Sequence, residues 1–443
     1  MNYTVLGAAK SGLAAAELAQ QLGENVFVSE YKSAEQSKNA VDFLSSRNIE
    51  SEFGGHTSKA LSNCECIIVS PGIKPTTPII LEAESKGIPI ISELEFASRY
   101  TSNPIIAITG TNGKTTTTAL TEYVINQSGK KAVACGNIGT PLSSLVRSLD
   151  KDTIIVAETS SYQLDRIDTF RPKVAVILNI TPDHIEYHGN VDNYIAAKWK
   201  IFKNQTASDV LLLCADDAIA ANAASKTNAT VQFFSAKHPV QHGMYCADGN
   251  VIVASQHKEE ILMRYNELRL PGVHNAYNSM AAALSARAFE VRNENIRDSL
   301  MSFSGVEHRL EFVRLLDGIE YINDSKATNV NATWYALQAF PKPIILIAGG
   351  RGDNNDYASL DELVRQHVTT VIAIGEEQEA IFNHFCTIIR CIRATSMEDA
   401  VQKAKENAHN GDAVLFSPAC KSFDMFMNYE HRGHVFKEIV NAL

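Results

Sequence analysis

The sequence predicts an α/β fold of three domains, each built on a mostly parallel sheet. The chain has 443 residues, which corresponds to about three domains at roughly 100–200 residues per domain. Short apolar, β-branched runs alternate with helical patterns along its length. The runs show no polar alternation, which indicates strands buried on both faces, as in parallel sheets. These runs are residues 3–6, 26–29, 66–69, 105–109, 154–157, 174–178, 210–213, 344–348, 370–374 and 413–416.

Two breaks divide the chain. A polar stretch that ends in proline covers residues 100–104, and Ser302-Phe303-Ser304-Gly305 follows a helical pattern at 281–292. We therefore expect domains at residues 1–97, 98–304 and 305–443, each of an ordinary domain size. The first and third are predicted to be Rossmann-like. The central one is predicted to be a mononucleotide-binding α/β domain of P-loop type.

Composition excludes several classes of protein. The net charge of -10 argues against a nucleic-acid or anionic-membrane partner. No apolar run reaches the roughly 18 residues that a membrane span needs. The chain starts directly with a predicted strand and shows no basic segment, so a signal peptide is not expected. The eight cysteines are scattered without a C-x-x-C pair, which is typical of reduced thiols in a cytoplasmic protein.

The first glycine-rich turn follows the first predicted strand. It reads Gly7-Ala8-Ala9-Lys10-Ser11-Gly12, a G-x-G-x-x-G pattern with Ala9 at the middle glycine. A helical pattern follows at 13–22, and Glu30 ends the next strand. Such a turn directs helix N–H groups at a diphosphate. This degenerate pattern leaves three interpretations open. The turn binds a dinucleotide such as NAD or FAD, it binds another phosphate-bearing ligand, or it serves only to pack the helix.

The second glycine-rich turn carries a stronger signal. The strand at 105–109 leads into Gly110-Thr111-Asn112-Gly113-Lys114-Thr115-Thr116, and a helical pattern follows at 117–128. In such a loop the backbone N–H groups surround phosphates, the lysine bridges the outer ones and the threonine hydroxyl reaches Mg²⁺. The spacing departs from G-x-x-x-x-G-K-[ST], because the first glycine is Gly110. The alternative is a chance glycine turn.

Polar residues follow the neighbouring strands, where open α/β sheets bind their ligands. Asn137 lies in a Gly-Asn-Ile-Gly turn, Glu158 ends one strand, and His184 comes shortly after another. Glu158 is the natural second ligand of Mg²⁺, although it could be a helix cap or surface carboxylate. His184 could be an ordinary turn histidine. Periodicity alone makes Lys198 a solvated helix lysine.

The short-spaced loop at 110–116 resembles that of the Mur ligase family of ATP-dependent, peptide-bond-forming ligases. The resemblance continues in order over nearly the whole chain. The motifs that carry it are Glu158-Thr-Ser-Ser-Tyr-Gln-Leu, Asn179-Ile-Thr-Pro-Asp-His184, Ala196-Ala-Lys198, Leu270-Pro-Gly-Val-His274-Asn275, His308-Arg309-Leu310-Glu311, Asp324-Ser-Lys326-Ala-Thr328-Asn329, Ser417-Pro-Ala-Cys-Lys-Ser422-Phe-Asp424 and Tyr429-Glu-His-Arg432-Gly433.

The motifs that begin at Asp324 and Ser417 resemble the D-glutamate-adding branch of the family. The resemblance implies a ligase that adds D-glutamate to UDP-N-acetylmuramoyl-L-alanine through an acyl phosphate, in cytoplasmic peptidoglycan precursor synthesis. It implies ATP, two Mg²⁺ ions and a CO₂-derived carbamate on Lys198, since a cationic amine would repel Mg²⁺. The expected partners are these small molecules alone, with neither nucleic acid nor membrane, and the expected state is a monomer.

The resemblance also implies roles for individual residues. The catalytic residues would be Lys114, Glu158, His184 and Lys198. The metal ligands would be Thr115, Asn137, Glu158, His184 and carbamylated Lys198. ATP would be bound by Gly110, Thr111, Asn112, Gly113, Lys114, Thr115, Thr116, Asn275, Asn278, Arg309 and Asp324. The UDP-linked substrate would be bound by Gly7, Lys10, Ser11, Gly12, Ser70, Pro71, Gly72 and Asn137. D-glutamate would be bound by Lys326, Thr328, Arg351, Ser422 and Tyr429.

One position departs from the family pattern. Asp353 stands where the family usually has a lysine that faces the glutamate side chain, and Arg351 is the candidate to supply that charge. Within the superfamily, another Mur ligase or a folylpolyglutamate synthase is the alternative, which the motif at Asp324 argues against. A NAD-dependent oxidoreductase would leave the 110–116 loop unexplained. A non-catalytic nucleotide-controlled binding module would not need His184, Lys198 and the cluster of motif residues in the third domain together.

Overall fold

The computed structural model describes residues 1–137, 139–255, 258–270, 272–338, 342–352 and 355–443. The chain forms two compact units, Met1–Phe303 and Ser304–Leu443. The first unit holds two sheets and the second unit one, so the three-domain α/β architecture predicted from the sequence is confirmed. The predicted boundary near residue 97 stays a prediction. Asp353 lies outside the described residues.

The first sheet has five parallel strands in the order β3-β2-β1-β4-β5. Its strands are β1 (Asn2–Leu6), β2 (Asn25–Glu30), β3 (Glu50–Phe53), β4 (Cys66–Val69) and β5 (Ile90–Ser92), and its helices are α1 (Lys10–Gln21), α2 (Lys38–Ser46), α3 (Pro78–Ser85) and α4 (Glu93–Ser98). This is a Rossmann-type order, and the strand order reverses beside β1. Open sheets bind ligands at the carboxyl ends of the strands at this point.

The second sheet has nine strands in the order β14-β13-β12-β11-β10-β9-β6-β8-β7. Its strands are β6 (Ile105–Thr109), β7 (Ala132–Gly136), β8 (Ile154–Glu158), β9 (Val174–Ile177), β10 (Val210–Cys214), β11 (Thr230–Ser235), β12 (Gly243–Ala247), β13 (Asn250–Ser255) and β14 (Lys258–Arg264). Its helices are α5 (Lys114–Gln127), α6 (Ser161–Asp165), α7 (Ile185–His188), α8 (Val191–Trp199), α9 (Ala218–Asn222), α10 (Val273–Arg287) and α11 (Asn293–Ser302). The strands from β7 to β12 pair in parallel, while β12, β13 and β14 form an antiparallel edge.

The sheet of the second unit has six strands in the order β15-β16-β20-β17-β18-β19. Its strands are β15 (Glu311–Leu316), β16 (Ile319–Asn323), β17 (Ile344–Gly349), β18 (Val368–Ile374), β19 (Arg390–Arg393) and β20 (Ala413–Phe416), and its helices are α12 (Val330–Gln338), α13 (Asp361–His367), α14 (Gln378–Phe385), α15 (Met397–Asn407) and α16 (Tyr429–Ala442). Only β15 is antiparallel to its neighbour. Strands β17 and β20 are buried along their whole length.

All ten predicted strands are present, because long apolar runs without polar alternation report burial on both faces. The helix predicted at 117–128 begins earlier, at Lys114, directly after residues 110–113, which we call the phosphate loop. The helix predicted at 281–292 is shifted toward the amino terminus and spans Val273–Arg287. In the described part of the chain, no helix combines the length and apolarity needed to cross a membrane.

Candidate active site

The phosphate loop joins the central strand β6 to helix α5. Its last residue, Gly113, has φ +84° and caps the helix. A Cβ at this position would lie 2.3 Å from Asn278 Oδ1, so both the left-handed backbone and the close approach require glycine. Lys114 folds back over the loop and donates to the carbonyls of Gly110 and Thr111 at 3.0 and 2.9 Å. The loop therefore presents its lysine and the start of a helix on one side, as a phosphate site does.

Side chains from neighbouring elements hold the loop in shape. Asn112 N donates to Asn179 Oδ1 at 2.8 Å, and Asn179 Nδ2 donates to the Asn112 carbonyl at 3.1 Å. The Thr111 hydroxyl lies 2.9 Å from the Tyr194 hydroxyl on α8. Asn278, on α10, accepts from Thr117 Oγ1 at 3.2 Å and is nearly fully buried. These hydrogen bonds hold the loop in shape without a ligand, which favours electrostatic preorganisation.

Glu158 lies at the carboxyl end of β8, next to the loop strand β6. It is 2% exposed. Its Oε1 accepts from Asn137 Nδ2 at 3.1 Å, while its Oε2 is buried without a hydrogen-bond partner among the described residues. A buried carboxylate oxygen without a donor is unfavourable unless a cation occupies the space beside it. The pair formed by Asn137 and Glu158 therefore suits Mg²⁺, which prefers oxygen ligands.

Lys198 on α8 is buried against the phosphate loop. The residue is 2% exposed, and its amine donates to the Gly110 carbonyl at 2.8 Å and to Thr109 Oγ1 at 3.4 Å. Burial, reinforced by the charge of Lys114, holds the pKa of this amine well below its ordinary value. Periodicity alone predicted a solvated lysine, and that interpretation is wrong. The amine is instead placed where it is readily neutral, and a neutral amine is nucleophilic.

His184 lies before the short helix α7, in a left-handed conformation with φ +53°. Its ring centroid is 4.9 Å from that of Tyr162, and its Nε2 lies 3.5 Å from Asp183 Oδ2. Burial lowers the pKa of His184, and the charges of Lys114 and Lys198 lower it further against the opposing effect of Asp183. The imidazole is therefore biased toward the neutral form that can act as a metal ligand.

The first glycine-rich loop lies at the strand-order reversal of the first sheet. Ser70, after β4, donates to the Gly7 carbonyl at 3.1 Å. A Cβ on Gly12 would lie 1.9 Å from that carbonyl, so glycine is required there by packing. The Glu30 carboxylate accepts from Ala8 N at 2.6 Å, and Lys10 Nζ donates to Gly139 O, also at 2.6 Å. Lys10 thereby connects this loop to the turn that carries Asn137.

In the second unit, the carboxyl ends of β16 and β20 lie side by side. Asn323 and Phe416 are paired residues, and Asp324 N donates to the Phe416 carbonyl. The fully buried Asp324 accepts from Ser417 Oγ at 2.7 Å and from Leu310 N at 3.2 Å. Burial raises the pKa of Asp324 to about 7, although Ser417 and the charge of Arg309 act in the opposite direction.

Arg432 organises the segments beside that edge. Its guanidinium is 1% exposed and donates to Ser325 Oγ, to the Ser325 carbonyl and to the Cys420 carbonyl at 2.8–3.0 Å. Burial lowers its pKa to about 10. Lys326 Nζ lies 5.8 Å from the centre of the Tyr429 ring. One buried arginine therefore fixes both the 324–328 segment and the segment that leads to Ser422.

Arg351 follows β17 at the same edge of this sheet. Its backbone pairs with that of Lys421, the neighbour of Ser422. Its guanidinium makes a bidentate pair with Glu376, with N–O distances of 2.7 and 2.9 Å. Glu376 thus occupies the Nε–Nη2 edge of the guanidinium, the edge that a glutamate side chain would bind in the same bidentate way.

The structure therefore groups the predicted residues by unit. Around the carboxyl ends of β6, β8 and β9 lie the phosphate loop, Asn137, Glu158, His184 and Lys198. Around those of β1 and β4 lie Gly7, Lys10, Ser11, Gly12 and Ser70–Gly72. Arg309, Asp324, Lys326, Thr328, Arg351, Ser422 and Tyr429 belong to the second unit.

Sequence reasoning missed the residues that support the site. It gave no role to Asn179, although this residue comes soon after β9, where the strand-end rule applies. It gave no role to Arg432, although Arg432, Phe436 and Val440 follow one another at four-residue spacing on the buried face of α16. That spacing was the available signal for a buried arginine.

The fold and the loop define a P-loop-type nucleotide-binding α/β protein, and comparison with known proteins gives its family. The MurD N-terminal domain model matches residues 4–79, the Mur ligase middle domain model residues 108–286, and the Mur ligase glutamate ligase domain model residues 308–420. The UDP-N-acetylmuramoylalanine–D-glutamate ligase of Salinibacter ruber is 45% identical over 99% of this chain and 97% of its own. The corresponding ligase of Bacteroides thetaiotaomicron is 40% identical over the full length of both.

Solved structures with the same fold are more distant in sequence. The UDP-N-acetylmuramate–alanine ligase MurC of Thermotoga maritima aligns with a TM-score of 0.60 at 18% identity, over 100% of this chain and 99% of its own. MurF of Acinetobacter baumannii aligns with a TM-score of 0.60 at 17% identity, over 79% of each chain. The chain belongs to the Mur ligase family, which confirms the resemblance drawn from its motifs.

Proposed function

We propose that this chain is an ATP-dependent ligase that joins D-glutamate to UDP-N-acetylmuramoyl-L-alanine in the cytoplasmic synthesis of peptidoglycan precursors. The observation that carries the proposal is that the half-buried Lys114 and the buried Glu158 and Lys198 meet at one phosphate loop. The relatives with 40% or more identity over nearly the whole chain bear the name of this ligase. The substrates are small molecules, and the chain acts as a monomer.

The reaction activates a carboxylate by phosphorylation and then forms an amide. The substrate carboxylate attacks the terminal phosphate of ATP, ADP leaves, and the amine of D-glutamate then displaces phosphate from the acyl phosphate. Both steps concentrate negative charge, so cations and N–H donors held in fixed positions lower the barrier. Lys114 and the N–H groups of residues 110–116 supply these for ATP. Asn275 and Asn278 are the further ATP-binding residues of the first unit, and Arg309 and Asp324 are those of the second unit.

The residues present fit Mg²⁺, since the Oε2 of the buried Glu158 has no partner in the described chain. Thr115, Asn137 and Glu158 would hold one ion, and His184 and carbamylated Lys198 a second. Bound Mg²⁺ neutralises phosphate charge and orients the phosphoryl group. The chain itself orients these ligands, because Asn137 donates to Glu158 and Tyr162 packs against His184.

The carbamate on Lys198 rests on the burial of its amine. A neutral amine attacks CO₂ and loses one proton to give an anionic N-carboxylate, which replaces a repelled cation with an oxygen ligand. With ¹³C-bicarbonate, NMR should show a carbamate resonance that Lys198→Gln abolishes and Lys200→Gln keeps. Lys200 is a suitable control because its amine pairs with Asp165 instead. A resonance that survives in Lys198→Gln would reject the assignment.

Recognition of the two organic substrates is assigned to different elements. The UDP-linked substrate is held by Gly7, Lys10, Ser11, Gly12, Ser70, Pro71, Gly72 and Asn137. D-glutamate is held by Lys326, Thr328, Arg351, Ser422 and Tyr429. An amino acid with two carboxylates needs donors for both, and lysine, arginine and hydroxyl groups provide them. Arg351 supplies the charge for the side-chain carboxylate by exchanging Glu376 for the substrate.

The test is phosphate release by the purified protein with ATP, Mg²⁺ and UDP-N-acetylmuramoyl-L-alanine. D-glutamate, L-glutamate, L-alanine and meso-diaminopimelate are supplied in separate reactions. Release that needs both the nucleotide-linked substrate and D-glutamate is the expected result. Release with another amino acid would keep the reaction and change the substrate. No release with any of them would overturn the proposed function.

A further inference from the structure

Three potential metal ligands meet in the second unit. They are Glu307 and His308, just before β15, and His434 on α16, and one ligand atom of each lies within 4.8 Å of the others. Glu307 Oε1 is 3.4 Å from His434 Nε2 and 3.9 Å from His308 Nε2. Tetrahedral zinc with bonds of 2.0–2.2 Å separates its ligand atoms by about 3.3 Å. The separations within this cluster would therefore have to shorten by at most about 1.5 Å to reach binding geometry.

The backbone brings the three side chains together. Consecutive side chains of an extended chain point to opposite faces, but His308 has φ +63°, which breaks that alternation after Glu307. Gly433, the neighbour of His434, makes room for the imidazole of His308, because a Cβ there would lie 2.2 Å from His308 Nδ1. The convergence thus depends on a left-handed residue on one segment and on a glycine on the other.

His308 supplies an observation independent of the clustering. Its side chain is only 3% exposed, and its Nε2 has no hydrogen-bond partner among the described residues. Its other nitrogen, Nδ1, lies 2.9 Å from Asn323 Nδ2, an amide donor. In this arrangement the ring proton is on Nε2 and faces Glu307 without being bonded. A buried, unpaired donor of this kind is costly and calls for an explanation.

The other two ligands are oriented for binding. His434 Nδ1 donates to the Glu430 carbonyl at 2.9 Å, which leaves the lone pair of Nε2 directed toward Glu307. The side chains of Glu307 and His434 are 53% and 54% exposed, so an ion can reach them from solvent. Two imidazoles and one carboxylate, with a fourth position open to water, form a ligand set that suits Zn²⁺ better than Mg²⁺.

We propose that Glu307, His308 and His434 form a Zn²⁺ site within the second unit. Binding replaces the Nε2 proton of His308 by the metal, and that proton moves to Nδ1. Asn323 Nδ2 must then turn away from Nδ1 and keep Glu311 Oε2 and the Gly433 carbonyl as its acceptors, at 3.0 and 3.4 Å. The new Nδ1–H donates to Glu311 Oε2, which closes in from 3.8 Å and becomes the outer carboxylate that usually orients a histidine ligand. Lys437 Nζ now lies 2.5 Å from Glu307 Oε1 and 2.9 Å from Glu311 Oε1, so it must leave Glu307 when zinc binds.

The test uses the full chain, stripped with a chelator and titrated with Zn²⁺ against a zinc indicator in excess Mg²⁺. The parent should hold one more tightly bound zinc equivalent than His434→Gln or Glu307→Gln. Loss of a ligand should weaken the site by at least the roughly 10–100-fold typical of losing an outer-shell partner. Lys437→Gln should bind zinc more tightly than the parent, because the competing cation is gone.

His409→Gln is the matched control, since His409 belongs to the same unit, also pairs with a carboxylate and is 89% exposed. Its zinc stoichiometry should equal that of the parent. Both ligand variants alter half-exposed side chains, and melting curves check that they fold. Co²⁺ gives a second readout, an intense visible band in the parent that His434→Gln loses. Equal zinc binding by His434→Gln and His409→Gln, or no gain in Lys437→Gln, would overturn the proposal.

Discussion

Asp324 should make the second unit less stable as the pH rises toward neutrality. Its pKa is raised by burial from 3.8 to about 7, so the folded state holds a proton that the unfolded state has released. The stabilisation is complete below about pH 4 and is lost as pH rises through 7. At about 1.4 kcal/mol per pKa unit, the parent should lose about 4 kcal/mol of unfolding free energy over that range.

Asp324→Asn should remove this pH dependence, because the amide is neutral at every pH. It keeps an acceptor for Leu310 N, and Ser417 can turn its hydroxyl toward Thr333 Oγ1, 3.0 Å away. The variant should therefore approach parent stability at pH 4–5 and exceed it by several kcal/mol at pH 8. The larger the gain at high pH, the higher the folded pKa of the carboxyl.

The chain offers a selective probe for this measurement. It has two tryptophans, Trp199 in the first unit and Trp334 in the second, so urea unfolding in a Trp199→Phe background follows the second unit by fluorescence. Asp317→Asn, at an exposed turn between β15 and β16, is the control with the same charge change. If the unfolding free energy of Asp324→Asn and that of its background changed with pH in parallel, a raised pKa of Asp324 would be refuted.

Three further predictions concern the loop, the first unit and the amino-acid site. Gly113→Ala should lower the melting temperature more than Gly129→Ala. Both glycines have φ near +85°, but only a Cβ at position 113 meets a neighbour, Asn278. Equal decreases in melting temperature would contradict this. Glu95→Gln should cost about 2–4 kcal/mol at pH 7 in urea unfolding. Its pKa is lowered in the folded state by hydrogen bonds that outweigh burial, so the loss should shrink below pH 4.5. Arg351→Ala should raise the KM for D-glutamate more than that for ATP.

Two matched variants give these last predictions their controls. Glu82→Gln removes an exposed carboxylate paired with Lys86 and should change stability by less than 1 kcal/mol. A Glu95→Gln variant as mild as Glu82→Gln would contradict the second prediction. Arg393→Ala breaks a bidentate pair with Glu379 that matches the pair of Arg351 with Glu376 and should leave both KM values unchanged. Parent-like KM values in Arg351→Ala would exclude Arg351 from the D-glutamate site.

The sequence predicted the apolar parallel strands well and the more polar strands and the sheet edges poorly. Buried runs such as β6 and β17 are apolar throughout. They can therefore be predicted as strands without knowing which strands they pair with. Strand β14 begins with Lys258 and Glu259 and is mostly exposed at this end. Its place in the sheet depends on pairing with β13, which no local pattern reveals. Tertiary contacts, and not propensity, decide such strands.

The candidate site could be predicted where its functional residues lie at or just after the ends of strands. The loop at 110–116 follows a predicted strand and Glu158 ends another, so the rule for open sheets locates both. The motif at Asp324 was found only through the family resemblance, because no strand was predicted before it. Lys198 was not predictable from its helix pattern, because its burial results from the packing of α8 against the phosphate loop. The pairing of Arg351 with Glu376 was equally hidden, since it joins the ends of two strands 25 residues apart.

Two kinds of buried charge occur in the described part of this chain, and the distinction separates function from architecture. Glu95 is 0% exposed, yet its two oxygens accept from residues 168–170 and from Arg99, and its pKa is lowered. Lys198 and Asp324 are as deeply buried, but burial dominates and shifts their pKa values toward the neutral form. Neutral replacements should therefore destabilise the protein at Glu95 and stabilise it at the other two positions. A stabilising substitution of a buried charge that also abolishes ligase activity is the signature of a group retained for chemistry.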